Sequence, residues 1–292
     1  MGNKAILLAV AGLAAQCGLA AQTSGRGVRY GSNEAAGATF THDGVRLYYE
    51  VYGTGEPLLI VHGNSGSIGD VAAQIDYFRK RYRVIAMDSR DHGKSADSPG
   101  PLNYEKMTDD LAALLDHLRV GPVHVLGWSD GGIEALLLAI RHPAKVKKVA
   151  AMAANLTPEG LRPECLEMIK SGIRSTETSG KDTAETRREL KVTRMMLVEP
   201  RIELRALERI AAPTLVLAAD HDLILDEHTL AIYHHIRNSQ LVVFPNATHM
   251  IPFDDPATFN AAVERFFGAP FVKRDRIKDV EKSLEALKAA AK

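Results

Sequence analysis

Seven short apolar runs, each bounded by turn residues, constrain this chain more than any other feature. They fall at 46–52, with alternating Leu47, Tyr49 and Val51, and at 58–61, 84–87, 123–126, 146–152, 214–218 and 241–244. Runs of this length suit strands buried on both faces. Between them the period changes. Met107, Leu111, Leu114, Leu115 and Leu118 recur at helical spacing, with Thr108 and Asp109 placed to start that helix. Residues 133–142 and 257–267 also read as helices. The alternation predicts an α/β fold, a mostly parallel sheet with helices on both faces. Ligands of such sheets gather at the carboxyl ends of the strands.

One interval breaks the rhythm. Residues 155–209 carry no strand signal, only helix-compatible stretches at 163–172 and 185–198 punctuated by Thr157-Pro158-Glu159-Gly160 and Ser179-Gly180. They read as an insertion that caps the sheet, dividing a core of 38–154 and 210–268. In the extension 269–292, Ile277, Val280, Leu284 and Leu287 form a narrow stripe among charged residues. Two heptads are too few for a coiled coil. The expectation is a terminal helix docked on the body, with a homodimer contact as the alternative.

At the other end, Lys4 precedes an apolar run over 5–15, and small residues follow at Ala20 and Ala21. The run is too short to span a bilayer and fits a cleavable secretory signal over 1–21. The mature chain is then expected to be secreted or periplasmic, without a stable membrane span. A buried N-terminal helix is the alternative, against which Gly12 and Gly18 stand. Lipidation at Cys17 is another, against which Gln16 stands. Cleavage leaves Cys165 as the sole thiol, and 22–37, rich in Gly, Ser and Ala, reads as a flexible lead-in. The 36 basic and 36 acidic residues balance, which argues against a nucleic-acid partner. No Cys/His spacing reads as a metal site.

Chemistry-bearing residues sit at four strand ends. Gly127-Trp128-Ser129-Asp130-Gly131-Gly132 joins the strand ending at Leu126 to the helix from Ile133. A serine on a sharp strand-to-helix turn projects its hydroxyl above the sheet. G-x-S-x-G is weak as a bare pattern; the strand before it and the helix after it give it weight. A serine needs a base to take its proton. Of the eleven histidines, His117, His142, His234 and His235 fall in or beside helices, and His124 lies inside a strand. His62 and His92 precede the serine in the chain, whereas the base is expected last in such a sheet. His249, in the loop after the last strand, has the position expected of the base, and His221 reads as a loop residue. Asp220 and Asp222 compete to orient it. Asp222, farther into the loop, is favoured, and Asp220 reads as a turn-holding carboxylate. His62-Gly63-Asn64-Ser65-Gly66-Ser67 follows the strand at 58–61. It offers the Asn64 amide as one oxyanion donor, with the Asp130 amide as the other.

The chain order of these motifs, with Asp88-Ser89-Arg90-Asp91-His92-Gly93-Lys94-Ser95 between the His62 and Gly127 motifs, resembles the α/β-hydrolase family over about 38–268. The resemblance implies an eight-stranded mostly parallel sheet with a cap after the sixth strand. It also implies nucleophile Ser129, base His249, acid Asp222 and oxyanion amides from Asn64 and Asp130. The Gly-Trp-Ser-Asp-Gly-Gly form is similar to that of small capped esterases and valacyclovir hydrolase-like hydrolases. Trp128 reads as a substrate contact, and the Asp130 side chain reads either as a group that turns inward to bond loop amides, the favoured reading, or as a contact for a substrate ammonium. Asp91 departs from the family, which more often has glycine there. The expected activity is hydrolysis of a small-molecule carboxylic ester through an acyl-enzyme, with no cofactor and no metal. Aminoacyl-ester, lactone or carbon–carbon cleavage by the same residues is the alternative within enzymes. A binding protein on a lapsed hydrolase scaffold is the alternative outside them.

Overall fold

The computed structural model describes residues 28–290. The signal read over 1–21, Cys17 and the first part of the lead-in therefore lie outside the described residues.

Eight strands form one sheet: β1 (Gly37–His42), β2 (Val45–Tyr52), β3 (Glu56–Val61), β4 (Tyr82–Met87), β5 (Val123–Trp128), β6 (Val146–Met152), β7 (Thr214–His221) and β8 (Ser239–Thr248). Their order across the sheet is β1-β2-β4-β3-β5-β6-β7-β8. β2 runs antiparallel to β1 and β4, and the remaining pairs are parallel. The apolar runs are continuous because both faces are covered. Val125, Val149 and Ala151 join one buried cluster, while their neighbours Leu126, Ala150 and Met152 join the other.

The first cluster is roofed by α2 (Tyr104–His117) and α3 (Asp130–Arg141), through residues such as Leu111 and Leu136. The second is roofed by α1 (Ala72–Phe78) and α9 (Pro256–Gly268), through Phe78 and Phe259. Between β6 and β7 come α4 (Pro163–Thr178), α5 (Ala184–Met195) and the single turn α6 (Leu204–Leu207). α7 (Asp226–His235) precedes β8, and the turn α8 (Ile251–Asp254) follows it. α10 (Arg276–Ala290) ends the described chain. No helix among the described residues is long and apolar enough to cross a membrane.

Four expectations change. β1 carries no apolar run, only the buried Phe40. It is held as a strand by its antiparallel ladder to β2. α2 starts a turn before Thr108, because Asn103 caps it by accepting the Lys106 amide at 2.8 Å. Thr108 is buried in the helix, its hydroxyl donating to the Tyr104 carbonyl. The lead-in is anchored from Tyr30 onward: its hydroxyl donates to Asp76, and the buried Glu50 accepts the amides of Gly31 and Asn33. The α10 stripe is not docked. Ile277, Val280, Leu284 and Leu287 are 67, 57, 51 and 67% exposed. A helix with four large apolar residues in 15 has little surface with which to displace the water from a partner face.

Candidate active site

Ser129 sits between β5 and α3 with φ 57° and ψ −119°, a left-handed conformation that costs a non-glycine residue about 1–3 kcal/mol. Crowding around the turn explains its glycines. A Cβ on Gly127 would lie 1.9 Å from the Gly131 carbonyl oxygen, and one on Gly131 would lie 2.3 Å from that of Val61. Side chains are therefore excluded at both positions. The turn is pinned by the Ser129 amide donating to Met152 on β6 at 2.9 Å.

The hydroxyl so presented meets the loop after β8. His249 Nε2 lies 3.0 Å from Ser129 Oγ, and His249 Nδ1 lies 2.7 Å from Asp222 Oδ1. Asp222 is 3% exposed and His249 8%. Asp222 also accepts the amides of Ala219 and Ile224 at 3.1 and 3.3 Å. Burial pushes its carboxyl up, but the imidazole and these two amides outweigh that and hold it below the usual carboxylate range. An ionised Asp222 only accepts hydrogen bonds, so the imidazole carries its proton on Nδ1 and leaves Nε2 free to accept from the serine. Asp220 is placed differently. Its carboxylate accepts the amides of Asn246 and Ala247 at 2.7 and 3.0 Å, tying the end of β7 to the end of β8.

The other two histidines of this face are occupied elsewhere. His62 Nε2 accepts the Ser89 amide at 3.1 Å, so its Nδ1 is the donor to the Gly63 carbonyl at 2.8 Å. His92 donates from Nδ1 to the Arg90 carbonyl, and burial, aided by His62, pulls its pKa down to about 3. His249 is the histidine that reaches Ser129.

The loop at Asn64 lies against the serine turn. A Cβ on Gly63 would lie 2.8 Å from the Trp128 ring and 3.2 Å from Ser129 Cβ. Asp130 is the first residue of α3, so its amide lacks a carbonyl one turn earlier in the helix. Its carboxylate is 2% exposed and accepts from Asn64 Nδ2 at 2.8 Å. Burial raises the carboxyl's pKa, opposed by hydrogen bonds from Asn64 and Tyr104. Of the two readings of this side chain, the geometry is that of the one that bonds the neighbouring loop. Trp128, the expected substrate contact, donates from Nε1 to the His249 carbonyl at 2.9 Å and packs edge-on against Phe253. Sequence patterns revealed neither contact. Tyr104, which also bears on the Asp130 carboxylate, was missed too, since it falls before the expected start of its helix.

Comparison with known proteins agrees with this architecture. The family model for the alpha/beta hydrolase fold matches residues 56–173. Serine hydrolase BPHL of Mus musculus is 29% identical over 252 residues, 77% of this chain and 84% of that protein. The 3-oxoadipate enol-lactonase 2 of Acinetobacter baylyi is 29% identical over 255 residues, 77% of this chain and 94% of that protein. Among solved structures, the alpha/beta hydrolase MGS-M2 from a Medee basin deep-sea metagenome library matches with a TM-score of 0.74 at 20% identity, over 82% of this chain and all of that one. The chain has the α/β-hydrolase fold and is similar to hydrolases of that fold along most of their length.

Proposed function

We propose that this chain cleaves small carboxylic esters through an acyl-enzyme. Ser129 is the nucleophile, His249 the base and Asp222 the group that orients it. The observation that carries the reading is the unbroken chain from Ser129 Oγ to His249 Nε2 at 3.0 Å and from His249 Nδ1 to Asp222 at 2.7 Å. His249 takes the hydroxyl proton as Ser129 attacks the ester carbonyl. The amides of Asn64 and Asp130 receive the oxyanion. Collapse expels the alcohol, which leaves with the proton from His249. Water, deprotonated by the same imidazole, then releases the acid and regenerates Ser129. The N-terminal run over 5–15 supports export of the chain, and so action outside the cytoplasm.

A lactone is the second reading. It is favoured by the enol-lactonase relative that this chain covers over 94% of its length. The chemistry is identical, except that the leaving hydroxyl stays tethered to the acyl group.

The test is a panel of p-nitrophenyl esters of increasing acyl length, with aminoacyl esters and lactones alongside, and labelling by a serine-directed phosphonate. Ser129→Ala and His249→Ala are each expected to lower kcat by about three powers of ten or more. The double variant should be little worse, because the two residues form one proton-transfer unit. A single variant retaining more than about a tenth of wild-type kcat would falsify the assignment.

A further inference from the structure

Asp91 stands in the loop after β4, where the resemblance leads one to expect glycine. Its φ of 61° accounts for that preference, since the left-handed region suits a residue without Cβ. An aspartate held there needs surroundings that over-determine it. They are present: Asp91 is 2% exposed, Oδ1 accepts the Ser98 amide at 3.0 Å, and Oδ2 accepts the Ser98 hydroxyl at 2.5 Å.

The third partner comes from another part of the chain. Lys191, on α5, donates from Nζ to Asp91 Oδ1 at 2.8 Å, to the Ser98 carbonyl at 2.6 Å and to Ser98 Oγ at 2.8 Å. An ammonium has three protons, and this arrangement gives each an acceptor. One turn earlier, Arg188 reaches Asp97 at 2.5 Å and the Gly93 carbonyl at 3.4 Å. The residue after Lys191 touches the Asn64 loop: the Val192 carbonyl lies 3.4 Å from Asn64 Nδ2, the same amide group that bonds Asp130. Asp91 and Asn64 therefore grip adjacent residues of one helix.

We propose that Asp91 is a positioning residue that determines acyl specificity. Through Lys191 it fixes α5 over the Asn64 loop and so limits the size of acyl group that reaches Ser129. The proposal rests on the ester-hydrolase reading for its substrate, but the contact itself does not. Breaking a buried ion pair by removing one partner leaves the other charge desolvated and unpaired. Releasing α5 from the loop relieves that penalty. The roof then recedes from the acyl group, and Asn64 loses a neighbour.

Lys191→Met keeps the aliphatic stem and leaves the Asp91–Ser98 turn intact. Asp91→Asn keeps an acceptor for Ser98 but removes the charge. In both, hydrogen exchange of the α5 amides (Ala184–Met195) is expected to rise about 10-fold or more, while exchange in β5 and α2 stays unchanged. KM for the shortest ester is expected to rise about 10-fold with kcat within about threefold, and the preference for short over long acyl chains to flatten. Lys191→Arg should restore the wild-type pattern. Unchanged α5 exchange, or an unchanged acyl-length profile in a folded Lys191→Met protein, would overturn the proposal. If Lys191→Met does not fold, Asp91→Asn carries the same two readouts. If wild type turns over no ester in the panel, the ester reading fails and the exchange measurement alone decides whether α5 is held this way.

Discussion

Asp220 and Asp222 are two residues apart, yet one carboxylate faces solvent and accepts loop amides while the other is buried against His249. Asp222→Asn is expected to lower kcat by roughly four powers of ten, because an amide that donates to Nδ1 stabilises the wrong imidazole tautomer. Asp220→Asn should leave kcat within severalfold and lower the melting temperature through lost bonds to the end of β8. The opposite pattern in paired kinetic and melting measurements would exchange the two roles. Acid sensitivity separates them further. The folded-state pKa of Asp222 lies below its unfolded value, so its contribution is present above the ordinary carboxylate range and fades as pH falls through the folded pKa. Asp222→Asn lacks that group, so its melting temperature should fall less steeply below about pH 4. The strand-to-loop spacing is what made Asp222 legible in the sequence. The inward turn of the Asp130 side chain was legible but its partner was not, since Asn64 is 66 residues away and nothing local points to it.

Elements with a strong period were read correctly, and those built by tertiary contacts were not. β3, β5 and β6 announce themselves as apolar runs because both their faces are buried. β1 has a single buried apolar side chain, so it carries no pattern to find. Lys148 shows the same gap at an element's end. It interrupts the apolar run of β6, and its Nζ donates to the carbonyls of Phe266, Phe267 and Ala269 at 2.8, 3.0 and 2.6 Å. These carbonyls lie where α9 ends and has no further amides to offer, and where its dipole is negative. Lys148→Met should therefore orphan partly buried carbonyls and cost on the order of 3 kcal/mol. It should show as a lower denaturation midpoint with an unchanged m-value and nearly unchanged kcat. A stability loss below about 0.5 kcal/mol, the range of ordinary surface substitutions, would mean that water replaces the ammonium at no cost.

At the scale of the whole molecule, the doubly covered sheet accounts for the burial seen from β2 to β7, and the chain after α9 stands apart from it. Phe271 still packs at the edge of the second buried cluster, and Lys273 donates to the Arg237 carbonyl. Beyond Asp275, the four large apolar residues of α10 lie more than half exposed. Hydrophobic stabilisation follows the apolar area removed from water, about 25 cal/mol for each Å². A stripe that covers nothing contributes almost none of it. A chain ending at Asp275 should accordingly keep the melting temperature of the full chain to within about 1 °C, where a loss of 1 kcal/mol would shift a protein of this size by roughly 2–4 °C. Its kcat should also be unchanged, since no residue of α10 belongs to the candidate site. The same comparison repeated across a hundredfold range of protein concentration tests what covers the stripe in solution. A drop of several degrees on truncation that grows with concentration would mean that α10 is buried against a second copy of the chain. A drop independent of concentration would mean that it folds back on the body after all.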